Sequence, residues 1–368
     1  MNITILGGSN GGYATAADLA LAGHRVRLWR RSEKELAPLR SAGTITLTAE
    51  GRQGVARLDR ATADLGEALD GAEVVVVPLP ATSHDDLAKH LAGRLTGREI
   101  VLLTPGTLGT LVLARGLARA GAPLPLAFVE TGTLPYLTRK TGPTTVSAPV
   151  RAANLPVGVF PASRSKAALE RITELFPATR PCADALDAAL TNAGAVIHPP
   201  LVLVNAASID AGQLDVHAAG TTASARKLID AVDAERVAAR RGLGYPAPHY
   251  ELATYYDAAR AAEGLYGARA REKVIASGLW REVLTYEHRY VSEDVALGLT
   301  LFESAGRTAG VPTPAVSGLL GVFGALLGRD LSGGRALDHL GLGDLTLREV
   351  RALFHDGWES HAWSRVIR

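Results

Sequence analysis

The chain has 368 residues, of which 47% are hydrophobic, and its formal net charge at pH 7 is +2. This length predicts two domains with real cores, and the small net charge excludes the electrostatic footprint of a nucleic-acid-binding protein. One cysteine excludes a disulfide framework and a cysteine-rich metal site, so we predict no metal. Because no apolar run has the length of a membrane span and no leader pattern precedes the first apolar run, we expect no membrane partner and a cytoplasmic location.

The N-terminal segment predicts a dinucleotide-binding element. A buried parallel strand opens the chain, a glycine-rich turn follows, and an alanine-rich helix is predicted over 13–22. Gly7 permits a sharp turn and Gly12 permits close helix packing, whereas Ser9 replaces the middle glycine of the G-x-G-x-x-G pattern. The N–H groups that begin the helix suit a pyrophosphate. The cofactor-binding residues predicted in this turn are Gly7, Gly8, Ser9, Asn10, Gly11 and Gly12.

The end of the second predicted strand, at residues 25–29, favours NADP over NAD as the cofactor. Arg30, Arg31 and Ser32 follow this strand, where an NAD enzyme usually carries an acidic residue that binds the ribose hydroxyls. Guanidinium groups and a hydroxyl suit a 2′-phosphate. NAD remains an alternative, because the carboxylate of Glu33 follows closely.

Strands and helices alternate through the rest of the first half, which predicts a mainly parallel sheet covered on both faces. Ligands of such sheets bind beyond the carboxyl ends of the strands, where Pro78, Thr104 and Glu130 lie. We assign Pro78 and Thr104 to the cofactor. The predicted segments are a hairpin of 44–48 and 54–58, strands at 73–77, 99–103, 124–129, 144–150 and 157–160, and helices at 83–95 and 163–175.

The second half of the chain is predicted to be helical. Strand-like runs disappear after residue 184, and long alanine- and leucine-rich helical patterns replace them. We therefore expect an α/β Rossmann-type domain over residues 1–180 and an all-α domain over residues 181–368. The apolar helix at 315–327 is expected to be core, with a homodimer face as the alternative.

Two segments of the helical half carry candidate chemistry. His198 lies before two prolines in an apolar helix, a setting that suits a tuned acid–base group as well as a hydrogen-bonded core histidine. The second segment begins at Arg289, which is either a surface charge or an anchor for a substrate carboxylate. Ser292 is typical of a helix N-cap with Glu293 and Asp294 in the first turn.

The chain resembles the octopine/nopaline (opine) dehydrogenase family along most of its length. Two departures from the family pattern stand out: one extra residue lies between Thr131 and Pro135, and Ala296 replaces a proline. The resemblance rests on the glycine-rich loop at 7–11, the residues Glu130, Thr131, Pro135 and Tyr136, the pair Asn192 and His198-Pro199, and the segment from Arg289 to Asp294.

The resemblance implies that the protein condenses the amine of an amino acid with a 2-oxo acid and reduces the imine with a nicotinamide cofactor. It implies that His198 is the catalytic acid–base and that Asp294 orients and charges it. The substrate-binding residues that it implies are Arg289, which holds a carboxylate, Glu130, which reads the amino donor, and Asn192. The site is then expected in the cleft between the two domains.

Two other functions remain open at this stage. A two-domain reductase of 2-oxo acids or ketones shares the first domain and needs no amine; such enzymes often use a lysine base, for which Lys227 and Lys273 are candidates. A non-catalytic nucleotide sensor is the second alternative. An assay of cofactor oxidation with and without an amine distinguishes the three functions, because the opine dehydrogenase needs the amine, the reductase does not, and the sensor oxidises no cofactor.

Overall fold

The first half of the chain alternates strands and helices, as predicted. The structure, a computed structural model, describes residues 1–212, 215–281 and 284–368. Its strands are β1 (Asn2–Leu6), β2 (Arg25–Trp29), β3 (Thr44–Ala49), β4 (Gly54–Arg57), β5 (Arg60–Thr62), β6 (Val74–Val77), β7 (Ile100–Leu103), β8 (Ala127–Thr131), β9 (Tyr136–Gly142), β10 (Thr145–Arg151), β11 (Leu155–Phe160) and β12 (Thr179–Pro181).

Helices flank the sheet in the first half, and in the described part of the second half every regular element after β12 is a helix. A π-helix at Tyr290–Leu299 interrupts the α-helices of the second half. The α-helices are α1 (Asn10–Leu21), α2 (Glu33–Ala42), α3 (Leu65–Leu69), α4 (His84–Leu91), α5 (Gly109–Arg119), α6 (Ser165–Leu175), α7 (Ala185–Ala189), α8 (Ala193–Val204), α9 (Ala206–Asp210), α10 (Ala223–Gly242), α11 (Ala253–Tyr256), α12 (Ala270–Ser277), α13 (Thr300–Ala309), α14 (Pro314–Leu327), α15 (Leu347–Asp356) and α16 (Trp363–Val366).

The main sheet has the strand order β12-β11-β8-β7-β6-β1-β2-β5. Neighbouring strands pair in parallel except β11, which runs antiparallel to β8. The four valines of β6 are fully buried because helices cover both faces of the sheet. The predicted Rossmann-type domain with a mainly parallel sheet is confirmed. Its carboxyl strand ends face the helical lobe.

A second, four-stranded sheet has the order β4-β3-β10-β9. The predicted hairpin is confirmed as β3 and β4, while the predicted strand at 144–150 forms β10 in this sheet. Strand β9 was not predicted. Asp18 of α1 holds the sheet in place, because its buried carboxylate accepts hydrogen bonds from Tyr136 at 2.6 Å and from both terminal nitrogens of Arg151 at 2.6 and 2.8 Å.

The second lobe is helical, as predicted. Strand β12 ends at Pro181, and no later strand occurs in the described part of the chain. Helix α8 continues through Pro199 and Pro200 instead of breaking at them. Among the described residues, no helix is long and apolar enough to cross a membrane. The domain boundary at 180/181 stays a prediction.

Candidate active site

Helix α8 and the π-helix lie against each other and bring two distant parts of the sequence together. Their close approach needs glycine, because a Cβ at Gly298 would lie 2.4 Å from the Cβ of Ala195. The π-helix carries Glu293 and Asp294, and irregular turns of this type are frequent at functional sites. Ser292 lies inside the π-helix, so the N-cap expected for it is wrong.

His198 and Asp294 form a hydrogen-bonded pair at this contact. The Nδ1 atom of His198 is 2.7 Å from Oδ2 of Asp294, and their side chains are 14% and 8% exposed. The carboxylate acts as the acceptor and thereby keeps the proton on Nδ1. A ring that a carboxylate holds in one tautomer and one orientation is the arrangement that an acid–base group needs.

Two adjacent carboxyl groups of the π-helix have perturbed pKa values. Burial raises the pKa of Asp294 above its usual range, against the opposing effect of Arg289 and His288. Burial and the neighbouring Asp294 also raise the pKa of Glu293. Buried carboxyl groups with raised pKa values at a cleft are typical of functional sites.

Tyr290 and His217 extend the pair into a cluster that the sequence analysis missed. The Tyr290 ring stacks on the His198 ring with centroids 3.5 Å apart and 13° between the planes. The Tyr290 hydroxyl lies 2.9 Å from Nε2 of His217. His217 was not predicted as a site residue, because its neighbours in the sequence carry no motif.

The cluster lines a cavity between the two lobes. The cavity contains roughly 1170 Å³ of empty space, part of which is open to solvent. Pro105 and Thr133 of the sheet lobe and His198 of the helical lobe line it. The structure also brings Arg289, Asn192 and Asp294 to this cavity, so four of the predicted site residues meet there.

Asn192 connects the cavity wall to the sheet lobe. Its Nδ2 donates to the Thr107 hydroxyl at 3.1 Å, and its Oδ1 accepts from the backbone of Gly194 at 2.9 Å, which caps α8. Both halves of the amide are therefore occupied. The substrate role expected for Asn192 stays a prediction.

Glu130 does not reach the cavity, contrary to the expectation that it reads the amino donor. Its side chain is fully buried, and its oxygens accept from the Leu108 N–H at 2.8 Å and from the N–H and hydroxyl of Thr110 at 3.2 and 2.6 Å. The carboxylate thus serves the first turn of α5. Burial raises the pKa of Glu130 to about 7.

The glycine-rich turn between β1 and α1 has the shape that a dinucleotide requires. Gly7 adopts a φ of +125°, and a Cβ at Gly12 would lie 2.1 Å from the Gly7 carbonyl oxygen, so both positions need glycine. Ser9 caps α1 by accepting the Gly12 N–H at 3.1 Å. The tight backbone turn and the N–H groups that begin α1 together suit the binding of a pyrophosphate.

A groove of the sheet lobe unites most of the residues predicted for the cofactor. Gly7, Gly8, Ser9, Arg30, Arg31 and Ser32 line it. Two acids of the same groove face the arginines: Glu35 pairs with Arg30, and Asp86 lies 3.7 Å from Arg31. Ser32 caps α2 through the Glu35 N–H.

The remaining residues predicted for the cofactor are not among those that line this groove. The carbonyl of Pro78 accepts from the Ser9 hydroxyl at 2.9 Å, and Asn10 accepts from the Lys140 N–H at 2.8 Å. Thr104 is buried at the end of β7, and Gly11 packs near Pro78. These residues support the turn, and their direct contact with the cofactor stays a prediction.

Two charged residues of the helical lobe hold the loop after β6. Glu293 accepts the Ala81 N–H at 2.8 Å, and Arg335 donates to the Ala81 carbonyl at 2.7 Å and to the Thr107 carbonyl at 3.2 Å. Both backbone groups of Ala81 are thus bound by the opposite lobe. The sequence analysis missed Arg335, which lies in a loop without a motif. In the described ranges no cluster of His, Cys, Asp and Glu could hold a metal ion.

Comparisons with known proteins identify the family of the chain. Residues 181–327 match the family described as NAD/NADP octopine/nopaline dehydrogenase, alpha-helical domain, and residues 2–119 match the NAD-dependent glycerol-3-phosphate dehydrogenase N-terminus. The opine dehydrogenase of Arthrobacter sp. (strain 1C) is 30% identical over 353 residues, which are 95% of this chain and 97% of that protein.

Solved structures show the same two-lobe fold. Octopine dehydrogenase in complex with NADH and agmatine has a TM-score of 0.71 and 17% identity over 95% of this chain and 97% of its own. Yersinopine dehydrogenase with NADP+ bound has a TM-score of 0.64 and 16% identity over 97% and 98%. The chain is an NAD(P)-dependent oxidoreductase that acts on CH–NH bonds, and it belongs to the opine dehydrogenase family.

Proposed function

We propose that the protein condenses an amino acid with a 2-oxo acid and reduces the imine, with NADPH, to an N-(carboxyalkyl) amino acid. The observation that carries this proposal is the His198–Asp294 pair, which lines one interlobe cavity together with Arg289. The name of the Arthrobacter relative, an opine dehydrogenase, supports the reaction type. The bound NADH and agmatine of octopine dehydrogenase support a cofactor and an amine in one protein.

His198 is proposed to move the protons of the condensation. Imine formation expels water, and the departing oxygen needs a proton donor. An imidazole can both donate and accept a proton, and the Asp294 carboxylate at 2.7 Å from His198 stabilises the charged form of the ring. Arg289, which lines the same cavity, is proposed to hold the carboxylate of the oxo acid through its guanidinium fork.

The cofactor, when bound, supplies the hydride for the reduction. We propose that the glycine-rich turn and the α1 N-terminus hold its pyrophosphate, and that Arg30, Arg31 and Ser32 hold a 2′-phosphate. This assignment favours NADPH over NADH. Binding requires the arginines to exchange their contacts with Glu35 and Asp86 for the phosphate.

The cavity walls indicate an amino donor with an apolar side chain. Each acid that lines it is already engaged in the described structure: Asp294 with His198, Glu293 with Ala81, and Glu251 with Arg260 at 3.1 Å. A basic side chain would therefore find no available carboxylate there. The apolar and aromatic lining residues include Leu134, Leu137, Tyr255, Tyr266, Val274, Ile275 and Trp280.

The competing reductase without an amine substrate finds less support in the cavity. Its candidate bases, Lys227 and Lys273, are not among the lining residues, and Lys273 pairs with Glu50. A cytoplasmic location and a homodimer remain part of the proposal. Val322 and Leu326 of α14 are 49% and 45% exposed, whereas Val316 and Phe323 of that helix are buried in the core, and light scattering of the purified protein decides the oligomeric state.

NADPH consumption tests the proposed function. A panel of 2-oxo acids is assayed against the standard amino acids, with each substrate also tested alone, and the products are identified by mass spectrometry. We expect oxidation of NADPH only when both substrates are present, with a product whose mass equals their sum minus water plus two hydrogens. Equal oxidation with the oxo acid alone would establish the simple reductase instead.

A further inference from the structure

A second arginine of the cavity has no carboxylate partner among the residues that the structure describes. Arg271, in α12, lines the cavity, and its Nη2 makes one long hydrogen bond of 3.4 Å to the His217 carbonyl. Its Nε is buried and has no hydrogen-bond partner among the residues that the structure describes. No acidic side chain of those residues lies within 4.0 Å of its guanidinium.

Three other arginines of this protein pair with acidic side chains, and two of them, Arg236 and Arg240, are buried. Arg236 lies 2.7 Å from Asp233, Arg240 contacts Asp187 at 2.5 Å, and Arg151 contacts Asp18 at 2.6 Å. Such pairs form because a cation that leaves water without a partner loses a large hydration free energy. Arg271 has a buried Nε without a partner among the described residues, and it lines a cavity in which an anionic ligand can supply the missing acceptor.

We infer that Arg271 binds the α-carboxylate of the amino donor, an inference that rests on the proposed function. The product carries two carboxylates, and Arg289, near Asp294 in the sequence, is assigned to the one from the oxo acid. Arg271 comes from α12 and contacts the segment of His217, whose ring lies 5.9 Å from that of His198. Two cations on separate elements thus serve the two arms of the product.

Arg139, a third cavity arginine, is less suited to this role. Its guanidinium carbon lies 4.5 Å above the Trp280 ring, and its Nη1 donates to the Thr138 carbonyl at 3.0 Å. The aromatic face and the carbonyl already provide favourable contacts for this cation. In the described ranges, the one hydrogen bond of the Arg271 guanidinium is the long one to the His217 carbonyl, so a carboxylate gains more there. The donor class is therefore an α-amino acid and not a carboxylate-free amine.

Kinetics of the Arg271→Met variant test this assignment. The two probes are the best amino donor among the standard amino acids and the amine that its decarboxylation yields, each with saturating NADPH and oxo acid. We expect wild-type kcat/KM to favour the amino acid by about 100-fold, since a charge-assisted contact is lost with the amine. The variant should lose about 100-fold with the amino acid and less than threefold with the amine.

Three controls keep the result interpretable. The KM of the oxo acid should change less than twofold in R271M. The Arg271→Lys variant should recover part of the loss in kcat/KM with the amino acid. The Lys273→Met variant should behave as wild type, because Lys273 is in the same helix but does not line the cavity. Equal losses for both probes, or a raised KM for the oxo acid alone, would overturn the assignment. If R271M does not fold, R271K provides the same comparison.

The proposed function and this inference fail in different ways. If wild-type enzyme oxidises NADPH without any amine, the proposed condensation is wrong. If it requires an amine but uses the amino acid and its decarboxylated counterpart equally well, the condensation stands and the role of Arg271 is wrong. Calorimetric titration of the amino acid into the NADP+ complex gives a readout without turnover, in which R271M should bind about 100-fold more weakly.

Discussion

His198 Nδ1 lies 2.7 Å from Asp294 Oδ2, although 96 positions separate the two residues in the sequence. Helix α8 supplies the imidazole and the π-helix supplies the carboxylate, and the glycine at position 298 lets the two elements approach. A pair of this kind keeps the ring in one tautomer and one orientation. Its catalytic importance is therefore open to direct substitution.

Asp294→Asn should lower kcat by about 100- to 10,000-fold, because the amide no longer stabilises a charged imidazole. His198→Ala should cause a loss at least as large. The Kd of NADPH, measured by fluorescence titration, should change less than threefold in both variants, since neither residue lines the sheet-lobe groove that contains Arg30 and Arg31. Near-normal turnover in either variant would remove the pair from the mechanism.

The double variant Arg30→Ala, Arg31→Ala should weaken NADPH binding by about 10- to 100-fold and NADH binding by less than threefold. The reason is the loss of charge-assisted contacts to the 2′-phosphate, which NADH lacks. Dissociation constants for both cofactors, measured on the same preparations, check this. If both cofactors lose affinity equally, the arginines bind another part of the dinucleotide and the NADPH assignment is wrong.

Arg289→Met should raise the KM of the 2-oxo acid by about 10- to 100-fold, because a guanidinium–carboxylate contact of this strength is lost. Arg289→Lys should recover only part of the affinity, since an ammonium group cannot form the paired contact. Initial rates at saturating amine and NADPH measure the effect. An unchanged KM for the oxo acid would show that Arg289 is not the anchor.

Glu130→Gln should leave the KM of the amino donor within threefold of wild type, because Glu130 is buried outside the cavity. The variant should lose about 1–3 kcal/mol of unfolding free energy, since the amide nitrogen cannot accept the N–H groups of α5. A strongly raised KM would restore the substrate role that we first expected.

The same variant predicts a change in pH dependence. Burial raises the pKa of Glu130 from 4.5 to about 7, so the folded protein retains this proton between those values while the unfolded chain releases it. Its contribution therefore makes unfolding free energy decrease as the pH rises from 4.5 to 7. Denaturant titrations at several pH values across this range should show that the unfolding free energy of E130Q decreases less steeply with pH than that of the wild type. Equal slopes for the two proteins would contradict the raised pKa of Glu130.

Local signals predicted the sheet lobe well and the site only in part. The strand, the glycine turn and the helix of residues 2–21 are contiguous, and so a short window of sequence specifies them. Strand β9 was missed because most of its residues are polar, although its partner β10 follows after only two residues, and its anchor, Asp18, is distant in the sequence. Its polar residues therefore resembled a loop.

The site residues divide in the same way. His198, Asp294 and Arg289 were found through the family resemblance, because each lies in a recognisable segment. His217, Arg271 and Arg335 carry no motif, and only the folded chain brings them to the cavity or the lobe contact. Glu130 is the opposite case. Its position after the predicted strand at 124–129 suggested a ligand-binding residue, whereas its carboxylate binds the N-terminus of α5.

A crystal structure with NADP+ and the N-(carboxyalkyl) amino acid product tests the central claim most directly, namely that both lobes form one catalytic site. We predict that the product nitrogen lies within hydrogen-bond distance of His198 Nε2, with one carboxylate on Arg289 and the nicotinamide on the sheet-lobe side of the cavity. A product bound away from His198, or a nicotinamide outside this cavity, would contradict the account.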